Sequence, residues 1–173
     1  MRRVAVHEAG HAIVGRALGL SCGKVTIEPE DMWRVVWSAS GQLEQVRDGV
    51  LEAHAEIWRR WYPERDASRQ ELDHAYVTMS LAGAEAERVI FGNIEPDCNA
   101  GDLRITNRVI GDNPALLAKL RKKARSLVRK NRSDIERVAK SLLHRGTLFS
   151  MQVDRLLMGW TDEEVGAGRL MRP

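Results

Sequence analysis

Residues Arg3–Leu18 read RVAVHEAGHAIVGRAL. The pattern is helical, with Val4, Ala5, Ala12, Val14 and Leu18 apolar and Gly19 as its stop. Inside this helix, His7-Glu8-Ala9-Gly10-His11 matches H-E-x-x-H. Four residues advance a helix by about 400°, so His7 and His11 stack on one face and can bind one metal ion. Imidazole nitrogens at that spacing suit Zn²⁺. Glu8 projects beside them, close enough to take a proton from a metal-activated water but offset from ligation. Such a water has a pKa near ~7, within reach of a carboxylate base at neutral pH. Ala9 and Gly10 are small enough to let another element approach the helix closely.

Outward from this helix, Lys24–Glu28 (KVTIE) is a β-branched strand candidate that Pro29 ends. A metal-binding helix followed by a strand is the zincin arrangement. Arg34–Val46, with VVW and QLEQV around Gly41, predicts one or two further strands or a bulged hairpin. Val50–Trp61 reads as a helix with Val50, His54, Ile57, Trp58 and Trp61 on one face, closed by Pro63. The capping box Ser68-x-x-Glu71 opens a helix running to Phe91, with Gly92 as its stop. Asp102–Ile110 is a shorter helix. Asn113-Pro114 starts a helix through about Lys130. A second box, Ser133-x-x-Glu136, starts one that ends at Gly146, and Ser150–Met158 is the last. The expected fold is α+β and mostly helical, with a small sheet and a C-terminal helical bundle.

A chain of 173 residues, 43% apolar and 29% charged, can bury a core of its own. It has no run of 18 apolar residues and no signal peptide, so neither a membrane span nor secretion is expected. Cys22 and Cys98 are too few for a disulfide framework or a four-cysteine zinc site, and a reducing cytoplasm is the expected compartment. No G-x-x-x-x-G-K-[ST] string is present, so no nucleotide is expected. The net charge of +3 is uneven. Residues 113–133 hold eight basic groups and no acidic one. Such a run is ordinarily the solvated side of a surface helix. With no aromatic residue interleaved, it does not predict a nucleic-acid platform.

A third metal ligand must come from downstream, since catalytic zinc sites use three protein ligands plus water. Candidates are His54, Asp73, His74, Glu85, Glu87, Asp97, Cys98, Asp102 and His144, and position alone does not choose among them. Glu85 and Glu87 sit in an apolar helix, where a carboxylate suits orienting a ligand imidazole. Asp102 follows Asn99-Ala100-Gly101 at a helix start, where it also reads as an N-cap.

Several of these stretches resemble, in order, the peptidase domain of FtsH-type zinc metalloproteases. Arg3–Val14 resembles its opening, Lys24–Ile27 its first strand, and Leu81–Gly92 (LAGAEAERVIFG) its central helix. Gly101-Asp102-Leu103 falls where the family has an Asn-Asp-Leu helix start. The stretch from Ala124 through Asn131-Arg132 to Leu156-Leu157 resembles its C-terminal helices. The resemblance implies one Zn²⁺ per chain on His7, His11 and Asp102, with Glu8 as general base and Glu87 orienting a ligand. It also implies a zincin-like domain over 1–158, with the metal site in 1–112, the C-terminal helices in 113–158, and a flexible tail over 159–173. The family's ATPase module and membrane anchor have no counterpart in this sequence. The expected activity is therefore ATP-independent hydrolysis of flexible or unfolded polypeptides. The alternative is a catalytically weak, peptidase-like zinc protein with a regulatory role. The family's rings suggest a homo-oligomer or a separate ATPase as partner. Its substrate-binding edge points to Val35–Val46, where Gly41 allows close backbone approach and Trp37 offers an apolar wall, unless Trp33 and Trp37 simply pack in a small core. Two departures stand out: Gly101 replaces the usual Asn, and the tryptophan-rich stretch Asp31–Arg69 does not resemble the family.

Overall fold

The computed structural model describes residues 1–37, 43–51, 53–61, 67–94 and 100–167, with side chains throughout except in 30–37 and 43–51. The first helix, α1 (Arg2–Ala17), is buried continuously from Ala5 to Gly15. A helix enclosed on all sides occupies the centre of a fold. The strands β1 (Leu20–Thr26), β2 (Glu30–Trp37), β3 (Leu43–Leu51) and β4 (His54–Trp61) follow. Next come α2 (Arg69–Ser80), α3 (Ala82–Phe91), α4 (Ala100–Ile110), α5 (Pro114–Lys130) and α6 (Arg132–Arg145). The short β5 (Thr147–Leu148), α7 (Ser150–Leu157) and α8 (Asp162–Gly166) complete the chain. The protein is thus mixed α+β and mostly helical. Its small three-stranded antiparallel sheet has the order β4-β1-β5, while β2 and β3 pair with each other in a separate hairpin.

The main core joins α1 (Val6, Ala9, Ile13) to α3 (Ala82, Ala86), α6 (Ile135, Val138, Leu142), β1 (Val25) and α7 (Val153, Leu156). Gly10 sets the approach of α1 to α3. A Cβ at that position would lie 2.8 Å from the Ala86 Cβ and 2.9 Å from the Ala82 carbonyl oxygen. Smaller clusters seat β4 on α2 through Leu20, Trp61, Ala75 and Met79, and α2 on α5 through Val77, Leu81, Leu120 and Ala124. Among the described residues, no helix is long and apolar enough to cross a membrane.

Four expectations need correction. Val50–Trp61 is not a helix: Val50 and Leu51 end β3, and His54–Trp61 is β4, paired with β1 from His54↔Thr26 to Trp61↔Leu20. Its aromatic and β-branched residues favour a pleated surface, and pairing with β1 overrides the apparent helical spacing. The helix from Ser68 to Phe91 is interrupted at Leu81, which caps both α2 and α3. The second capping box does not form. Asn131 is the N-cap of α6, and Glu136 accepts from the Arg132 guanidinium at 3.0 Å. Lastly, residues 159–167 are not a loose tail. The Thr161–Glu164 capping box starts α8, Val165 is buried, and Asp162 accepts hydrogen bonds from Ser141, Arg145 and His144 of α6. Residues 168–173 lie outside the described residues. The predicted helix stops hold, with Gly19, Gly92 and Gly146 at φ of 78°, 85° and 74°.

The α1–α3 contact yields a direct expectation. Gly10→Ala overpacks it, a class of change that costs about 1–3 kcal/mol. The melting temperature should fall by several degrees, at roughly 2–4 °C per kcal/mol for a chain of this size. A thermal melt unchanged from the parent protein would refute the close approach.

Candidate metal centre

Two elements, α1 and α4, bring the ligand side chains together. His7 and His11 lie one turn apart on α1, their ring centroids 4.8 Å apart and their planes at 74°. Asp102 enters from the first turn of α4. Its Oδ2 stands 3.1 Å from His7 Nε2 and 3.2 Å from His11 Nε2. The ligand atoms of His7, His11 and Asp102 all lie within 4.8 Å of one another. These are the three residues expected, and among the described candidates Asp102 is the one whose carboxylate stands beside both imidazoles.

The opposite ring nitrogens are anchored. His7 Nδ1 donates to Glu87 Oε1 at 2.6 Å, and His11 Nδ1 donates to the Met79 carbonyl at 2.9 Å. A carbonyl can only accept, so Nδ1 of His11 carries a proton and Nε2 is left to point at Asp102. The break at Leu81 ends α2 where the Met79 carbonyl can serve His11 rather than a continuing helix. Glu87 is fully buried and also accepts from Arg3 Nη1 at 3.1 Å. Arg3 is held in turn by Asn93, through its carbonyl at 3.2 Å and its Oδ1 at 3.1 Å. Glu87 thus stands behind His7, where a carboxylate that orients a ligand imidazole would stand.

Electrostatics follow from this crowding. Burial disfavours a charged His7, but its hydrogen bonds to Asp102 and Glu87 and the charge of Glu8 outweigh burial and push its pKa up to about 10. His11 is raised too, since Asp102 overcomes the cost of burial. Against its own burial, Asp102 is held well below the usual carboxylate range by the His11 and His7 imidazoles. Glu8, itself buried, is pushed upward chiefly by loss of water, and the charges of His11, His7, Asp102 and His54 all reach it.

Does this donor set fit a metal? Bonds of about 2.0–2.2 Å around a tetrahedral zinc put neighbouring ligand atoms about 3.3–3.5 Å apart. The observed 3.1 and 3.2 Å separations are close to that edge. Gly83 of α3 leaves the room: a Cβ there would stand 2.5 Å from both His11 Nε2 and His7 Nε2. Two neutral imidazoles and one carboxylate are a zinc-type donor set. The residues fit a divalent ion.

The other candidates are placed elsewhere. Glu85 is buried and bonded to Arg125 at 2.6 Å, not to an imidazole. Asp73 pairs with Arg59, and His144 with Asp162 at 2.7 Å. His74 is on α2, outside the cluster, and His54 opens β4 near Glu8 without joining the ligands. Asp97, Cys98 and Gly41 lie outside the described residues, as does the Trp37 side chain at the end of β2. Sequence reading missed Arg3, Gly83 and the Met79 carbonyl. Arg3 carries a signal, since it lies one turn before His7 on the same helix face. A backbone carbonyl carries none. No protein-family model matches this chain, and no curated protein does.

Two outcomes are expected. Asp102→Ala should weaken zinc retention, read as metal per chain after dialysis; full retention in that variant would remove Asp102 from the ligand set. Metal loading should also release protons. His7 in the metal-free protein stays protonated up to about pH 10, so an ion taking its Nε2 must displace that proton at pH 8. Zinc affinity should therefore rise with pH through this range and collapse in acid. Titration calorimetry in buffers of different ionisation enthalpy checks it, and no proton release at pH 8 would contradict the arrangement.

Proposed function

We propose that this protein is a zinc-dependent peptidase of zincin-like fold, hydrolysing peptide bonds in flexible or unfolded polypeptides. One observation carries the reading. Two imidazole Nε2 atoms and one carboxylate converge on a common point while both Nδ1 atoms are pinned by acceptors behind them. Resemblance to the FtsH-type peptidase domain in the order of motifs supports it further.

His7, His11 and Asp102 would hold one Zn²⁺ per chain, and the ion would supply Lewis-acid polarisation of the scissile carbonyl and acidification of a water molecule. Glu8 takes the proton of the attacking water on a carboxylate oxygen and delivers it to the departing amine nitrogen. Its burial favours this role, because a raised pKa keeps the carboxyl closer to neutrality than an exposed glutamate. Glu87 and the Met79 carbonyl keep both rings oriented through each turnover, with Arg3 steadying Glu87.

Glu8→Gln decides the matter. The amide cannot accept a proton, and general-base catalysis is worth ~10²–10⁴-fold in rate. Chelator-sensitive cleavage of an unfolded protein should fall by at least the lower bound, with zinc content and melting temperature unchanged. Turnover equal to that of the parent protein would place the base elsewhere. Absence of cleavage in the parent protein with zinc fully bound would favour a regulatory zinc protein.

A further inference from the structure

The metal site does not end at its ligands. Asp102 lines a cavity of about 140 Å³ together with Arg88, Arg121 and Glu85. Arg121 continues into an open groove with Lys122, Arg125 and Arg129 of α5. Arg88 shares a neighbouring concavity with Arg125 and Arg129. The shared residues make one continuous tract from the cavity at Asp102 along α5. Six cations line it (Arg88, Arg121, Lys122, Arg125, Arg129 and Arg132) against two acids, Asp102 of the candidate metal site and Glu85, which is 1% exposed.

Arg125 takes up that carboxylate, with Nε at 2.6 Å and Nη2 at 3.4 Å. Arg88 and Arg121 stand 3.7 and 3.9 Å from it, too far for hydrogen bonds. They stand near Glu85 without donating a hydrogen bond to it. The tract stops at Arg132, whose charge is answered by Glu136 at 3.0 Å. Lys119, Lys123 and Lys130 of the same helix line none of these concavities. An evenly solvated helix face would not divide its cations in this way.

Taking the peptidase reading as its basis, we propose that this tract binds an acidic segment of the polypeptide substrate next to the scissile bond. Guanidinium forks match carboxylates in pairs. Spacing favours an extended chain: steps of four residues along α5, from Arg121 to Arg125 to Arg129, are about 6 Å. Alternate side chains of an extended strand recur about every 6.6 Å. Acidic residues at every second position therefore meet successive arginines. Nucleic acid is the less suited polyanion, because no aromatic side chain lines the tract to stack a base.

Binding is tested apart from turnover, on zinc-loaded Glu8→Gln protein, by fluorescence anisotropy with labelled peptides carrying glutamate at alternate positions or glutamine in its place. The glutamate peptide should bind at least ~10-fold tighter at low salt, the lower end of what a focused field provides. The difference should close at about 0.5 M salt, where the Debye length is only about 4 Å. Arg121→Gln with Arg129→Gln should abolish the preference, and Lys119→Gln with Lys123→Gln should keep it. Arg129→Gln alone, at an exposed position, should weaken the preference even if the Arg121 change disturbs the fold. Acidic preference without cleavage by the parent protein would sink the peptidase reading and leave the tract standing. Cleavage with no acidic preference would do the reverse. Equal binding of the two peptides, equal loss in both double variants, or displacement by single-stranded DNA at lower concentration than by the glutamate peptide would each overturn the proposal.

Discussion

A methyl group at Gly10 would sit 2.8 Å from the Ala86 Cβ, and one at Gly83 would sit 2.5 Å from two imidazole nitrogens. At these two positions α1 and α3 approach closely, and the rest of the site answers to it. Because α3 lies against α1, the side chains of His7, Glu8 and His11 are sealed from water. Sealed polar groups destabilise a fold by about 1–3 kcal/mol each when left without partners, so each ring nitrogen must find one. Glu87, the Met79 carbonyl and Asp102 provide them. The positions of α2 and α4 follow from this demand as much as from their apolar contacts.

Helix α3 serves two sites with two glutamates. Residues two apart on a helix point about 200° away from each other. Glu87 therefore turns inward to His7, while Glu85 turns toward α5 and Arg125. Both are buried, and each has a guanidinium partner, Arg3 or Arg125. A lone buried carboxylate would shed its charge. Each arginine answers its glutamate's charge: Glu87 accepts from the His7 imidazole, and Glu85 is the counter-ion around which Arg125, Arg88 and Arg121 gather.

The pairing of His7 with His11 was legible because H-E-x-x-H is a local signal, whose geometry depends only on α1 being helical, whereas Asp102 came from resemblance. Capping boxes and glycine stops are local too, and Ser68, Asn113, Gly92 and Gly146 act as expected. What failed was non-local. Trp58 and Trp61 fit a helical spacing, but their registry with Ser21 and Leu20 across the β1–β4 ladder decides the outcome. The break at Leu81 was hidden for the same reason, since its value lies in a carbonyl that serves His11, 68 residues away in sequence. The distinction between Glu85 and Glu87 rested on resemblance alone, because only the packing of α3 shows which of the two faces α1.

Charge explains why this pocket is suited to a dication. Asp102, Glu87 and Glu8 bring three negative charges within reach of His7, and Arg3 answers one of them. With both imidazoles neutral and all three carboxylates ionised, the cluster with Arg3 carries a net charge of −2 in a buried region. A protonated ring donates from both nitrogens, but in the neutral state neither Nε2 can donate to Asp102 while its Nδ1 holds the ring proton, and acceptor then faces acceptor at 3.1 and 3.2 Å. Such a contact is repulsive until something positive stands between the groups. Two protons would neutralise it, and so would one divalent ion. This equivalence is why the imidazoles are pushed upward in pKa. The carboxylate behind His7 also makes the metal-free site proton-binding, so geometry and affinity come from the same residues.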